Sequence, residues 1–305
     1  MTMIICANCP QYSLLVADRL VSKRSSRGHR LGPWEKGFNK SLVYGCRDAL
    51  VSLAFAGPAY IDGKSSDHWI AQQLWRENLE ANVASFRKSR VRNRLADSLW
   101  RLRKALDERP EGRDVEVLVS GYRETKRNVV LPILALWKPT ERHLSLRRRP
   151  RQHQWGAGWI GSFPNKTELA DAILENGGAF FSHTDASKCF RSLIVNASTM
   201  NPEIGNDLME ILIDPAQRQI TLEYIPGENH LPPQPPALTK LVSGDPIRTP
   251  WIIGKNMAFA PMQFYGQQIW SMSICGHKVK IINQKATASG PISAMIPEFR
   301  KGPPT

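Results

Sequence analysis

The chain has 305 residues, 42% of them hydrophobic, and a formal net charge of +14. That length supports one large domain or a domain with an appendage. It offers no apolar window of the ~20 residues a membrane-spanning helix needs, no basic start to an N-terminal secretory signal, and five cysteines, an odd number that argues against a disulfide framework and fits a reducing cytoplasm.

In chain order, the N-terminal run MTMIICANCPQYSLLVAD places two short apolar stretches around Cys9-Pro10-Gln11-Tyr12-Ser13. That arrangement predicts a hairpin. Neither stretch alternates with polar residues, so both faces of the hairpin are expected to be buried. Residues 22–39, rich in Gly, Ser and charge, read as a polar loop. KSLVYGC and ALVSLAFAG follow as two strands joined at Arg47-Asp48. Residues 66–107 carry helical periodicity: Trp69, Leu74, Leu79, Val83 and Phe86 on a first helix, then Val91, Leu95, Leu99, Leu102 and Leu106 on a second, basic one. Ser66 and Asp67 supply candidates for the first cap.

VEVLVSGY and NVVLPILALW read as strands. NKTELADAILENGG is expected to be a helix with a capping-type start and a glycine stop, and HTDASKCFRSLIVNASTM another. DLMEILIDPAQRQITLEYI reads as a hairpin turning at Asp214-Pro215-Ala216-Gln217. From Pro226 a proline-rich connector begins, and short strands follow it around TPWIIGKNMAFAP and QIWSMSICGHKVKIINQKA. The expected division is residues 1–226 as one domain and 227–305 as the connector with a small β-rich C-terminal extension. Buried strands with helices set between hairpins predict an α+β fold in which sheet packs on sheet and helices lie outside.

A turn at Pro10-Gln11 makes paired residues of the first hairpin sum to about 20 or 21, which sets Thr2 opposite Asp18; cross-strand partners lie roughly 5 Å apart. Methionine aminopeptidase removes Met1 when the next residue is small, and Thr2 qualifies. A mature chain starting at Thr2 carries a hydroxyl and a free α-amine on one residue. That amine titrates near pH ~7.7–8.0 and accepts a proton at neutral pH, a recognised way to activate a threonine hydroxyl as nucleophile. The plain alternative is that Thr2 is only the second residue of an ordinary cytosolic chain.

Taken together, these residues resemble the proteasome β-subunits and their bacterial relatives of the HslV and Anbu type. Those proteins begin with a nucleophilic threonine, run through a hairpin of this length into an Ala-Asp pair, place a lysine at the next strand and then an Ala-Gly pair. Here Ala17-Asp18, Lys40 and Ala56-Gly57 stand in that order. Gly158–Phe163, GWIGSF, is similar to the family's Gly-Ser-Gly segment, and IGNDLMEILI to its penultimate strand. The resemblance covers residues 2–226 and implies a four-layer αββα sandwich of two antiparallel sheets.

It also implies a threonine peptidase cleaving amide bonds through an acyl-enzyme. In that scheme Thr2 is the nucleophile, and Lys40 beside Asp18 lowers the proton affinity of the hydroxyl and amine. The Gly57 N–H stabilises the oxyanion, and Ser162 orients the amine. Self-association into a ring or stacked homo-oligomer, a peptide or protein substrate and an ATP-dependent unfoldase are the implied partners; no cofactor is implied. The chain departs from the pattern in the long Asp18–Lys40 spacing, in Gly161-Ser162-Phe163, and at Asn201 and Ile204, where many relatives carry Asp and Ser. Asn201 and Ile204 motivate a second reading, a catalytically impaired scaffold.

Two further features carry other readings. Cys6-Ala7-Asn8-Cys9 has CxxC spacing, and only Cys275 and His277 are at hand to complete a metal site; Cys6 reads better as a packed strand residue, so no metal is expected. The basic segments 86–106 and 147–154 are candidate contacts for nucleic acid or an acidic partner, and they carry a third reading, a basic nucleic-acid-binding protein whose N-terminal threonine is incidental. For the first, the amphipathic leucines favour a solvated helix face.

Overall fold

The N-terminal apolar runs form β1 (Met3–Asn8) and β2 (Ser13–Asp18), closed by a hydrogen bond from Cys9 N–H to the Tyr12 carbonyl, 2.9 Å, across Pro10 and Gln11. Both strands are buried on both faces, as their unbroken hydrophobicity predicts. The period of two sorts their side chains: Met3, Ile5, Leu14 and Val16 enter one core, Ile4, Cys6, Leu15 and Ala17 another.

The structure, a computed structural model, describes residues 2–24, 30–35, 38–75, 93–124, 130–137, 156–161, 182–225, 227, 247–254, 258–259, 261–264, 270–274, 277–283 and 296–297. The expected helix at 165–178, the segment 147–154 and the first part of 86–106 lie outside them. Residues 22–39, expected as a loop, instead include a bulged antiparallel ribbon, β3 (Val21–Arg24) with β4 (Arg30–Glu35). It has no apolar stripe, so hydrophobic periodicity gave no sign of it.

Next come β5 (Ser41–Gly45), β6 (Ala49–Ala56), the small pair β7 (Tyr60–Ile61) and β8 (Lys64–Ser65), α1 (Ser66–Trp75) and α2 (Leu95–Asp107). They are followed by β9 (Glu116–Glu124), β10 (Val130–Trp137), β11 (Gly156–Gly161), α3 (His183–Met200), β12 (Leu208–Asp214) and β13 (Gln219–Ile225). Asp48, in the β5–β6 turn, accepts the Leu95 N–H at 2.8 Å and so caps α2 from a distance. Ser182 caps α3 by accepting the Asp185 N–H at 3.2 Å.

The C-terminal segment adds β14 (Ile247–Arg248), β15 (Trp251–Ile253), β16 (Ala258–Phe259), β17 (Met262–Phe264), β18 (Trp270–Ile274), β19 (His277–Asn283) and β20 (Ile296–Pro297). Among the described residues, one large sheet has seven strands in the order β11-β1-β2-β12-β13-β19-β18, and a second has six, β10-β9-β6-β5-β15-β16. Both are antiparallel throughout residues 1–226. The C-terminal strands make them mixed, because β19 runs parallel to β13 and β15 parallel to β5.

Three cores define the layers. Ile4, Leu15, Met209 and Leu222 meet Val43, Ala54, Leu118 and Leu134 between the sheets. Leu42, Leu53, Phe55 and Val119 face Trp69, Leu74, Leu99 and Leu102 of α1 and α2. Ile5, Leu14 and Val16 face Phe190 and Ile194 of α3. Helix, sheet, sheet, helix is the four-layer αββα sandwich that the sequence resemblance implies. Burial of Leu95, Leu99, Leu102 and Leu106 turns the basic side of α2 outward. There Arg103 pairs with Asp107 at 3.7 Å and lies over the Trp137 ring at 5.9 Å.

At the hairpin turn the two sheets are pinned by polar groups. Ser13 Oγ lies 2.7 Å from Ser120 Oγ, Asn8 Nδ2 donates to the Gly121 carbonyl at 2.9 Å, and Tyr122 donates its hydroxyl to the Cys9 carbonyl at 2.8 Å. Cys6 packs beside this seam, where burial pushes its thiol pKa up to about 12. It is a core residue, poorly suited to thiolate chemistry.

Candidate active site

Thr2 stands at the other end of the sandwich, immediately before β1. The observed register, Ile4 with Ala17 through Asn8 with Ser13, sums to 21. Asp18 is therefore level with Met3, not with Thr2 as the spacing suggested; the sum of 20 was one residue out. The correction leaves the carboxylate beside the start of β1: Asp18 Oδ1 accepts the Met3 backbone N–H at 2.8 Å.

The other oxygen, Asp18 Oδ2, accepts Lys40 Nζ at 2.8 Å, the Gly205 N–H at 3.1 Å and the Leu20 N–H at 3.3 Å. Asp18 is fully buried and Lys40 nearly so. A buried ion pair persists when its members are also hydrogen-bonded, and here one carboxylate satisfies four donors. Burial pushes the Lys40 pKa below the usual lysine value; the Asp18 carboxylate pulls it partly back. Lys40 sits at this spot because it immediately precedes β5, whose own position is set by pairing with β6.

Gly57 follows β6 on the facing sheet. Its φ is +141°, and a Cβ there would meet the Asp114 carbonyl at 2.7 Å, so only glycine fits without displacing backbone. Glu116 connects this end of the second sheet to the first. It pairs with Ala56 in the ladder, and its Oε2 accepts the Gly161 N–H at 2.7 Å. Gly161, at φ +91°, lies against Thr2: a Cβ on it would strike the Thr2 carbonyl oxygen.

Asp18, Lys40 and the residue after Thr2 are thus gathered on one carboxylate, and Gly57 lies at the same end of the sandwich, linked through Glu116 and Gly161. Ser162 falls outside the described residues. Asn201 ends α3, and its Oδ1 accepts the Glu203 N–H at 3.1 Å; Ile204 is buried in the core beneath α3.

Three residues here escaped sequence reasoning: Arg19, Asn39 and Glu116. Arg19 is buried, with its guanidinium 4.9 Å from the Tyr224 ring centroid and Nη2 donating to Asn39 Oδ1 at 3.4 Å. No local signal marked them, since each works through a partner distant in the chain. Among the described residues no group of three His, Cys, Asp or Glu side chains is placed to hold a metal ion.

No protein-family model and no curated protein sequence matches the chain. Among solved structures it is similar to Anbu (ancestral beta-subunit) from Yersinia bercovieri, at 14% identity and TM-score 0.48 over 78% of this chain and 91% of that one. Anbu from Hyphomicrobium sp. strain MC1 matches at 11% identity and TM-score 0.44, and its Gly-1 mutant at 10% and 0.45, each over 70% of this chain and 82% of that one. These are proteins of the type that the N-terminal motifs resemble. Likeness at this level carries no chemistry, which has to be argued from the site.

Proposed function

We propose that this protein is an N-terminal threonine hydrolase that cleaves amide bonds, most simply of peptides, through an acyl-enzyme. The observation that carries the reading is the buried Asp18–Lys40 pair tied to the backbone beside Thr2. The reading requires a mature chain that begins at Thr2. Its Oγ attacks the substrate carbonyl while its α-amine takes the hydroxyl proton. The buried ammonium of Lys40 favours the deprotonated hydroxyl, and the Gly57 N–H receives the charge developing on the carbonyl oxygen. The amine then returns the proton to the leaving nitrogen, the C–N bond breaks, and an ester joins Thr2 to the acyl group. Water, deprotonated by the same amine, hydrolyses that ester. Ser162 orients the amine.

Self-association into a ring or stack, with a peptide or protein substrate, belongs to the same proposal; it rests on the sequence resemblance, and light scattering of the purified protein tests it. So does a setting in the reducing cytoplasm, which the free thiols of Cys6, Cys9, Cys46 and Cys189 favour. Residues 1–226 would form the hydrolase and 227–305 its extension.

Intact mass of the untagged protein, before and after a β-lactone, tests the nucleophile. Loss of Met1 and one adduct on Thr2 are expected, with no adduct on Thr2→Ala and unchanged assembly of that variant. A retained Met1 or an unmodified Thr2 would favour the second reading, a scaffold without catalysis. That alternative is motivated by Asn201 and Ile204, whose side chains serve a helix end and a core.

A further inference from the structure

Among the described residues, the C-terminal segment meets the site beside Lys40. Strand β5 begins directly after Lys40 and lies between β6 and β15. β15 pairs parallel with it, Trp251 with Leu42 through Ile253 with Tyr44. Just before β15, the Thr249 carbonyl accepts the side-chain N–H of Asn39 at 2.7 Å. The other end of that amide, Asn39 Oδ1, accepts from Arg19 at 3.4 Å. Asn39 is the residue before Lys40, and Arg19 the residue after Asp18. Arg19, Asn39 and Thr249 are all buried.

The ion pair is therefore flanked on both partners by one hydrogen-bonded chain, Arg19–Asn39–Thr249, which ends on backbone more than two hundred residues downstream. Trp251 fixes that backbone in turn: it is buried, and it stacks on His68 of α1 with ring centroids 5.3 Å apart. A buried amide that loses its acceptor must find another or admit water. Without β15, the strand that follows Lys40 would also become a sheet edge, open to water beside a charge pair whose strength depends on its absence.

We propose that Asn39 is a positioning residue through which the C-terminal segment holds Lys40 in line with Asp18, making that segment part of the reactive site rather than an appendage. The inference rests on the reading of Thr2 and Lys40 above, and it adds the residue and the strand that set their geometry.

The test is Asn39→Ala in the full-length chain, since truncation of the segment risks unfolding. One arm does not involve Thr2: a brief pulse of acetic anhydride, with acetylation of Lys40 followed by peptide mass. Acetylation is expected at least tenfold faster in the variant, at an unchanged thermal midpoint. The second arm is the β-lactone reaction at Thr2, where the limiting rate is expected to fall about tenfold with half-saturation within twofold. Unchanged Lys40 protection overturns the inference, and so does a faster reaction that merely follows a lowered thermal midpoint. Wild-type protein that takes no β-lactone defeats the nucleophile alone; the acetylation arm still decides the role of Asn39.

Discussion

At the residue scale, the site depends on charge held out of water. Lys40 loses its proton more readily than an exposed lysine because burial disfavours the ammonium, while Asp18 opposes that loss. If Lys40 acts as a cation, the rate of Thr2 acylation should fall on the alkaline side as pH passes through its lowered pKa. Asp18→Asn removes the opposing charge, so that limb should move to lower pH; a pH series of β-lactone rates reads the shift, and a limb that stays put or moves up would contradict the role. Gly161 offers a steric counterpart. At φ +91° and against the Thr2 carbonyl, Gly161→Ala should cost ~1–3 kcal/mol in strain and displace Thr2. The urea midpoint and the adduct rate should then fall together.

At the element scale, α3 is held to its sheet by both an apolar face and an ion-pair network. Phe190 is fully buried over β1 and β2, and Phe190→Ala should destabilise the fold by ~3–5 kcal/mol in a denaturant titration. Beside it, Glu210 and Glu223 stand directly opposite each other on β12 and β13. Arg191 of α3 bridges them, at 2.9 Å and 2.6 Å, relieving a like-charge cross-strand pair.

Burial outweighs the pull of Arg191 and pushes the Glu210 carboxyl above its usual range. The folded state therefore binds that proton more tightly than the unfolded state does. Stability contributed by this group is highest at low pH and is lost as pH rises from the unfolded value, near 4.5, through the folded one. Glu210→Gln should gain relative to wild type as pH rises through that window, which urea midpoints at several pH values will show.

At the scale of the whole molecule, the C-terminal strands close what would otherwise be open edges: β15 covers β5, and β19 covers β13. Ending the chain at residue 226 should expose both edges and promote association. The expected signature is larger, heterogeneous particles by light scattering, together with loss of a sharp thermal transition; a truncated chain of unchanged size and transition would show these edges to be dispensable.

The sequence by itself determined the strands and helices with strong apolar patterns: the β1–β2 hairpin with its turn, β5 and β6, α2, α3 to its residue bounds, and the β12–β13 hairpin. Burial writes a periodicity into each of these, and periodicity is read locally. It also marked Thr2, Asp18, Lys40 and Gly57 as candidates, because the order and spacing on which the family resemblance rests are sequence properties. Only the tertiary structure decided the hairpin register, since a shift of one residue leaves the apolar pattern of a strand buried on both faces unchanged. It alone revealed the β3–β4 ribbon, which has no apolar stripe. It alone joined Glu116 to Gly161 and Asn39 to Thr249, and set β15 and β19 parallel to strands far upstream. Hydrogen bonds between residues 45 and 210 positions apart leave no periodic trace in the chain that makes them.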